Sequence, residues 1–474
     1  MFSNKRKIRE YINFHESEIV EMLKALIRIP SVRGEASPDA PYGKACAEAL
    51  EFCKELYRTN GFECELDRDG GYLLSYLGNG EKDIGIFAHS DVVPVGDGWT
   101  YTSPFEPKDV DGFIVGRGSM DDKSGVLISL YAAKIIKELG IPFNSRLVMF
   151  TGSNEESGMG DIKSYLSKHK APDFSIVPDT SFPLYRGNKG RIRFSLKSKH
   201  PLPEGVTISG GPGATVIGNA EACLPYSEKL FASLSKLNNE RLSVGNENGR
   251  IVLKAIGIPK HSALPEGSLS AAKVLCEGLL SADFDYEKGL IEDILGMSSS
   301  NYGEFFGIEA EDCEFGKLTC VLTKISTDSD GGIIADFNIR YGDSVTCEQV
   351  ISKIEEKAEK IGFALSPNVD FSYPHALPDS NKFVRALSEV IKEYTGENSV
   401  KTYVNAGGTY RQYLKNAVEI GTSLWGPKRF MPAGHGGVHQ PDECISVEGL
   451  LNAIELTTYM LLKCDEIIGE KENA

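Results

Sequence analysis

The chain has 474 residues, 41% of them hydrophobic, with 67 acidic against 51 basic side chains and a formal net charge of −16. That length exceeds what a single core usually supports, so two domains are expected, and the acidic balance sets aside nucleic acid as the main partner. Residues 1–30 form neither a secretion signal nor a membrane span, no other stretch is apolar enough to cross a bilayer, and ten scattered cysteines without a Cys-x-x-Cys pair suit reduced thiols in the cytoplasm.

Ile19, Met22, Leu23, Leu26 and Ile27 recur at helical spacing, and Pro30 ends that helix by disfavouring helical geometry at the residue before it. A second helix is expected from about Gly43 to Tyr57. Strands over Cys64–Leu66 and Tyr72–Tyr76 flank the turn Asp69-Gly70-Gly71. The uncharged run Ile84-Gly85-Ile86-Phe87-Ala88 then reads as a strand buried on both faces, and it delivers His89 and Asp91 to the point where it stops. Two apart on an extended chain, these side chains point the same way. His89 can therefore bind a metal while Asp91 orients its partners; the plainer alternative is a strand-end histidine satisfied by a turn carboxylate.

After a turn-rich region, Gly116-Arg117-Gly118-Ser119-Met120-Asp121-Asp122 leads into a helical pattern over Val126–Leu139. Helix capping accounts for one of the two carboxylates. It does not account for glycines that strip the approach bare. The strand Ser145–Thr151 runs into Gly152-Ser153-Asn154-Glu155-Glu156, and the strand Phe174–Val177 into Pro178-Asp179. Three strands thus finish in His/Asp, Glu/Glu and Asp, at the end where open α/β sheets bind their ligands. His435 and His439 lie in a glycine-rich loop before a last helix, Val447–Leu462; the glycines argue against a helical i,i+4 pair, so one ligand is expected, with His435 a bystander or a supporting group. Two histidines and three carboxylates without a thiolate fit two divalent ions that share a bridging carboxylate, zinc first, with manganese or cobalt as substitutes. Two such ions activate a water and polarise a carbonyl, and a carboxylate left uncoordinated then takes the proton. Adjacent glutamates meet both needs.

The motifs His89-Ser-Asp91-Val-Val-Pro, Gly-Arg-Gly-Ser-Met-Asp121-Asp122-Lys, Glu155-Glu156-Ser-Gly, Asp179 and His439-Gln-Pro-Asp-Glu, in this order, resemble those of the aminoacylase/carboxypeptidase-like dinuclear zinc peptidases. Within them the chain is most similar to the bacterial dipeptidases related to carnosinase, which cleave β-alanyl and Xaa-His dipeptides among others. The resemblance implies an α/β fold: a catalytic α/β/α sandwich with a mixed central sheet, formed by residues 1–186 and 381–474, and an inserted α+β lid domain, residues 187–380. It implies that Asp121 bridges both metals, with His89 and Asp179 completing one ion and Glu156 and His439 the other. Glu155 would be the general base, Asp91 the partner behind the ligands, and the peptide after Asp121 would be cis.

In the middle segment, His261 of His261-Ser-Ala-Leu-Pro-Glu-Gly resembles the histidine that stabilises the oxyanion, and Arg340 the arginine that clamps the substrate carboxylate. Gly408 and Thr409 resemble a loop that lines the dipeptide pocket. The sequence departs from the pattern at Ser124, at Ser153-Asn154, and around residues 214–220, where no counterpart of a family asparagine is found; these bear on substrate preference and spare the ligands. The expected activity is hydrolysis of dipeptides by a metal-activated water, in a monomer with small peptides as partners. Alternatives are an N-acyl amino acid deacylase or carboxypeptidase of the same family, and a non-catalytic relative that binds metal or peptide.

Overall fold

The uncharged run before His89 lies in the middle of a mixed sheet, and the elements around it follow from local patterning. A computed structural model describes residues 4–470 apart from 283, 285–286, 427–430 and 433. The chain divides into two compact units: residues up to Gly187 together with those from Ala376 onward, and Asn188–His375.

In the first unit the order is α1 (Lys5–Ile27), α2 (Lys44–Thr59), β1 (Glu63–Asp67), β2 (Tyr72–Leu77), β3 (Asp83–His89), β4 (Lys108–Val110), β5 (Phe113–Val115), α3 (Lys123–Glu138), β6 (Arg146–Gly152), α4 (Gly160–Lys168) and β7 (Phe174–Thr180). The sheet runs β1-β2-β6-β3-β7, followed by the strand Ala417–Gly421. β3 is parallel to both β6 and β7, whereas β2 is antiparallel to β6. Leu73, Ile84, Ile86, Leu147 and Ile176 face a core shared with α1, α3 and the helix Val447–Ile467. Phe87, Val148, Phe150 and Val177 face a second core with Ile162 and Tyr165 of α4. Two covered faces make the α/β/α sandwich, and they explain why β3 carries no internal charge.

Element boundaries are set by packing and capping that the local pattern only partly shows, and three of them have a visible cause. α1 begins at Lys5, because Ile8 and Ile12 extend the buried stripe of Ile19, Leu23 and Leu26 by further turns. α3 begins at Lys123, three residues before the expected start, because the Asp122 side chain accepts from Gly125 N and caps it. β7 continues through Asp179, since the parallel strand Ala417–Gly421 pairs with it as far as Thr180.

The second unit is built on an antiparallel sheet, with Gly190–Ser198, Ile333–Tyr341 and Thr319–Thr327 as successive neighbours. Burial alternates along Gly190–Ser198, so one face packs into a core with the helices Ala271–Ser281, Lys288–Ser299 and Cys347–Lys360. Among the described residues no helix is long and apolar enough to cross a membrane.

Candidate metal centre

Because β3, β6 and β7 are parallel, their carboxyl ends share one edge of the sheet, with His89 level with Gly152. His89, Glu155–Glu156 and Asp179 arrive on this edge, and the α3 cap brings Asp121 beside them. His89 Nε2 lies 3.1 Å from Asp121 Oδ1 and 3.7 Å from Asp179 Oδ1. His439 Nε2 lies 3.1 Å from Asp121 Oδ2 and 3.2 Å from Glu156 Oε1. The two oxygens of Asp121 thus face different imidazoles. Donor atoms of His89, Asp121 and Glu156 fall within 4.8 Å of one another, as do those of His89, Glu155 and Asp179.

The adjacent aspartates part company here. Asp122 turns back, accepting from His89 N and Gly125 N, while Asp121 enters the cluster across a cis Asp121–Asp122 peptide. Asp91 sits behind the ring: its carbonyl oxygen is 3.0 Å and its Oδ1 3.4 Å from His89 Nδ1, and its two carboxylate oxygens accept from Glu155 N at 3.1 Å and Glu156 N at 3.2 Å. It therefore fixes the ring and the glutamate backbone together. His439 has a φ of 62°, in the left-handed region that non-glycine residues rarely occupy, which the loop's packing must sustain. His435 points elsewhere and pairs with Asp442 at 2.7 Å.

Electrostatics mark the cluster as built for positive charge. Burial pushes Asp179 up to about 7, with repulsion from Asp121 adding to it. Burial and then Asp179 drive Glu155 well above its ordinary range, and Glu155 Oε1 is buried without a hydrogen-bond partner. Burial opposes charge on His89, but Asp179 and Asp121 outweigh it and hold the imidazole well above its usual value. Partial burial likewise opposes charge on His439, and Asp121 and Glu156 raise it to about 11. Carboxylates that repel one another, and imidazoles that would otherwise bind protons, are what divalent cations stabilise. The donor set of oxygen and nitrogen atoms fits such ions without a thiolate.

Two supporting pairs were not assigned from the sequence. Glu443 Oε1 accepts from Met120 N and Asp121 N, while its Oε2 meets Arg117 Nη1 at 2.6 Å, with both charged side chains buried. Asp161 accepts from Ser153 N, Asn154 N and the Tyr410 hydroxyl, bracing the turn that carries Glu155. A Cβ on Gly152 would lie 1.8 Å from the Tyr410 oxygen, so glycine is needed there. The arginine between two glycines, and an acid running into the apolar Cys444-Ile445, were the available signals.

Of the remaining expected site residues, Thr409 is buried and its hydroxyl donates to Glu419 Oε1 at 2.5 Å, with Gly408 half-buried beside it. The loop containing them therefore owes its shape to a buried carboxylate. In the second unit His261 is exposed, and its Nδ1 accepts from Ala263 N. Arg340 there is 5% exposed.

The profile of peptidase family M20/M25/M40 matches residues 85–463. The chain belongs to that family. It is a metallopeptidase and a hydrolase, as the motif resemblance implied. It is 30% identical over 459 residues, 93% of this chain and 96% of the relative, to a Bacillus subtilis (strain 168) protein named "Putative dipeptidase YtjP". It is 27% identical over 471 residues, 95% of this chain and 97% of the relative, to a Staphylococcus epidermidis (strain ATCC 12228 / FDA PCI 1200) protein named "Putative dipeptidase". Human carnosine dipeptidase 1 shares the fold, with a TM-score of 0.62, 15% identity and coverage of 98% of this chain and 99% of the other. So does the dipeptidase Dug1p from Saccharomyces cerevisiae, with a TM-score of 0.61, 15% identity and the same coverage.

Proposed function

We propose that this M20 metallopeptidase hydrolyses the peptide bond of dipeptides at a dinuclear centre. His89, Asp121 and Asp179 would hold one divalent ion, and Asp121, Glu156 and His439 the other. Zinc is the first choice for this donor set, with manganese or cobalt as substitutes. The observation that carries the reading is the aspartate shared between two imidazoles, each with a further carboxylate at its side. When bound, the ions supply Lewis acidity, lowering the pKa of a water and polarising the scissile carbonyl.

The chain's own residues do the rest. Glu155 takes the water's proton and passes it to the departing amine; its buried, unpartnered Oε1 and its raised proton affinity suit both transfers. Asp91 holds the backbone of Glu155 and Glu156 so that base and ligand keep their relative positions. Arg340 receives the substrate's free carboxylate, His261 stabilises the oxyanion, and Gly408 and Thr409 border the peptide, the roles the motif resemblance implies for them. The inserted segment 187–380 serves as a lid, and the chain works as a cytoplasmic monomer.

Dipeptide specificity is tested by assaying the protein with zinc, manganese and cobalt on dipeptides, tripeptides and N-acyl amino acids. Release of amino acids from dipeptides is expected, and Glu155→Ala should abolish it while retaining two metal equivalents. Cleavage of N-acyl amino acids with none of dipeptides would replace this reading with a deacylase.

A further inference from the structure

The antiparallel sheet of the second unit has two unlike faces. Ile192, Phe194, Phe337 and Ile339 point into its core, so the intervening residues stand on the opposite face. Cross-strand register sets these residues in two rows. Thr319 is level with Arg340, which is level with Arg191; Asn338 is level with Arg193, which is level with Asp370. Level residues on antiparallel strands lie close enough for long side chains to meet. Three guanidiniums therefore share a patch with one carboxylate, Asp370, which pairs with Arg191 at 2.8 Å. These two rows keep a surplus of two positive charges, with Asp336, which accepts from the Ser195 hydroxyl, in the row beyond, in a chain whose net charge is −16.

Four polar atoms of this patch, Arg340 Nε, Arg191 Nε, Thr319 Oγ1 and Asn338 Oδ1, are buried without a hydrogen-bond partner. Arg340, Asn338 and Thr319 are 5%, 3% and 3% exposed. Orphaned polar groups at such depth are costly, and the two guanidinium N–H donors among them, Arg340 Nε and Arg191 Nε, mark a place that an anionic ligand completes. Burial, followed by the charges of Arg191 and Arg193, lowers Arg340 to about 9. Arg193 is exposed, so the cationic surface runs from a buried end at Arg340 to an open end at Arg193. One carboxylate occupies one guanidinium fork. The patch offers more than one.

We propose that this arginine face selects substrates whose C-terminal residue carries two carboxylates, that is, dipeptides ending in aspartate or glutamate. Arg340 takes the main-chain carboxylate, and Arg193, with Arg191, takes the side-chain one. The assignment rests on the dipeptidase reading for turnover, but the anion site itself stands on the second unit alone.

The turnover test compares kcat/KM for Ala-Glu and the isosteric Ala-Gln in the metal-loaded parent and in Arg193→Met, a substitution at an exposed position of the sheet. The parent should prefer Ala-Glu by about tenfold or more, the worth of a charge-assisted hydrogen bond, and Arg193→Met should lose that preference with Ala-Gln nearly unchanged. Equal rates for the two substrates in the parent, or an equal fall for both in the variant, overturn the proposal. A second measurement needs no turnover. Calorimetric titration with glutarate and with its monoamide should show about tenfold tighter binding of the dianion to the parent, and that difference should vanish in Arg193→Met. Tight glutarate binding without dipeptide cleavage would refute the dipeptidase reading and keep the anion site; cleavage of dipeptides without discrimination between glutarate and its monoamide would do the reverse.

Discussion

Glu443→Gln probes how the scaffold holds Asp121. The parent carboxylate is fully buried; Oε1 accepts from Met120 N at 3.0 Å and Asp121 N at 3.1 Å, and Oε2 meets Arg117, which is 1% exposed. An amide can satisfy one set of partners only. With its oxygen toward the backbone, its NH2 faces a guanidinium and leaves a buried cation uncompensated, which costs about 3–5 kcal/mol. With its oxygen toward Arg117, two partly buried N–H groups lose their acceptor, at about 1–3 kcal/mol each. Either way, a loss of about 3 kcal/mol or more is expected. Arg117→Leu should cost a similar amount by stranding the carboxylate. The double variant Arg117→Leu/Glu443→Leu removes both charges and should be more stable than the summed single losses predict, by about 2 kcal/mol or more. Urea titrations of chelator-treated protein measure this through Trp99, one of two tryptophans, whose ring lies 5.5 Å from the Arg117 guanidinium. Metal affinity should behave differently. The double variant still denies Met120 N and Asp121 N an acceptor, so it should bind metal about 10–100-fold more weakly than the parent. Additive stability losses, or parent-like metal affinity in the double variant, would refute the reasoning.

Three further outcomes are expected. Burial and then Asp91 raise Asp161 from 3.8 to about 6. Between those values the folded chain holds a proton that the unfolded chain lacks, so this group's contribution falls as pH rises; chelator-treated Asp161→Asn should gain on the parent by up to about 3 kcal/mol from pH 4 to pH 7, read from urea midpoints, and a constant difference would contradict it. Tyr410→Phe keeps the ring against His89, at 6.3 Å between centroids, but deletes the hydroxyl bound to Asp161; it should cost about 1.5–3 kcal/mol in thermal unfolding, and an unchanged melting temperature would show that this hydrogen bond adds nothing. His439 is 46% exposed and His89 is 0% exposed, so a chelator should strip the metal on the His439 side first; loss of both equivalents in one phase would contradict that order.

Much of the first unit can be read along the chain because the signals are local. An uncharged apolar run ending in a histidine specifies a buried strand and what it delivers, whatever packs around it. The same holds for Glu155-Glu156 after β6 and for Asp179 on β7, and parallel neighbours share a carboxyl edge by construction. Donor types, and hence the class of metal chemistry, follow from residue identity.

Tertiary structure alone decided which group does what. Asp121 and Asp122 are chemically identical neighbours, and only the direction in which the chain enters α3 makes one a cap and frees the other for the cluster. Arg117 finds Glu443 across 326 positions, and Tyr410 finds Asp161 across 249. Cross-strand register gathers Arg191, Arg193 and Arg340 on one face. Apolar periodicity repeats every two or four residues and is visible in a short window, whereas a buried polar group is satisfied by whichever partner the fold brings within about 3 Å, so its partner has no signature nearby in the sequence.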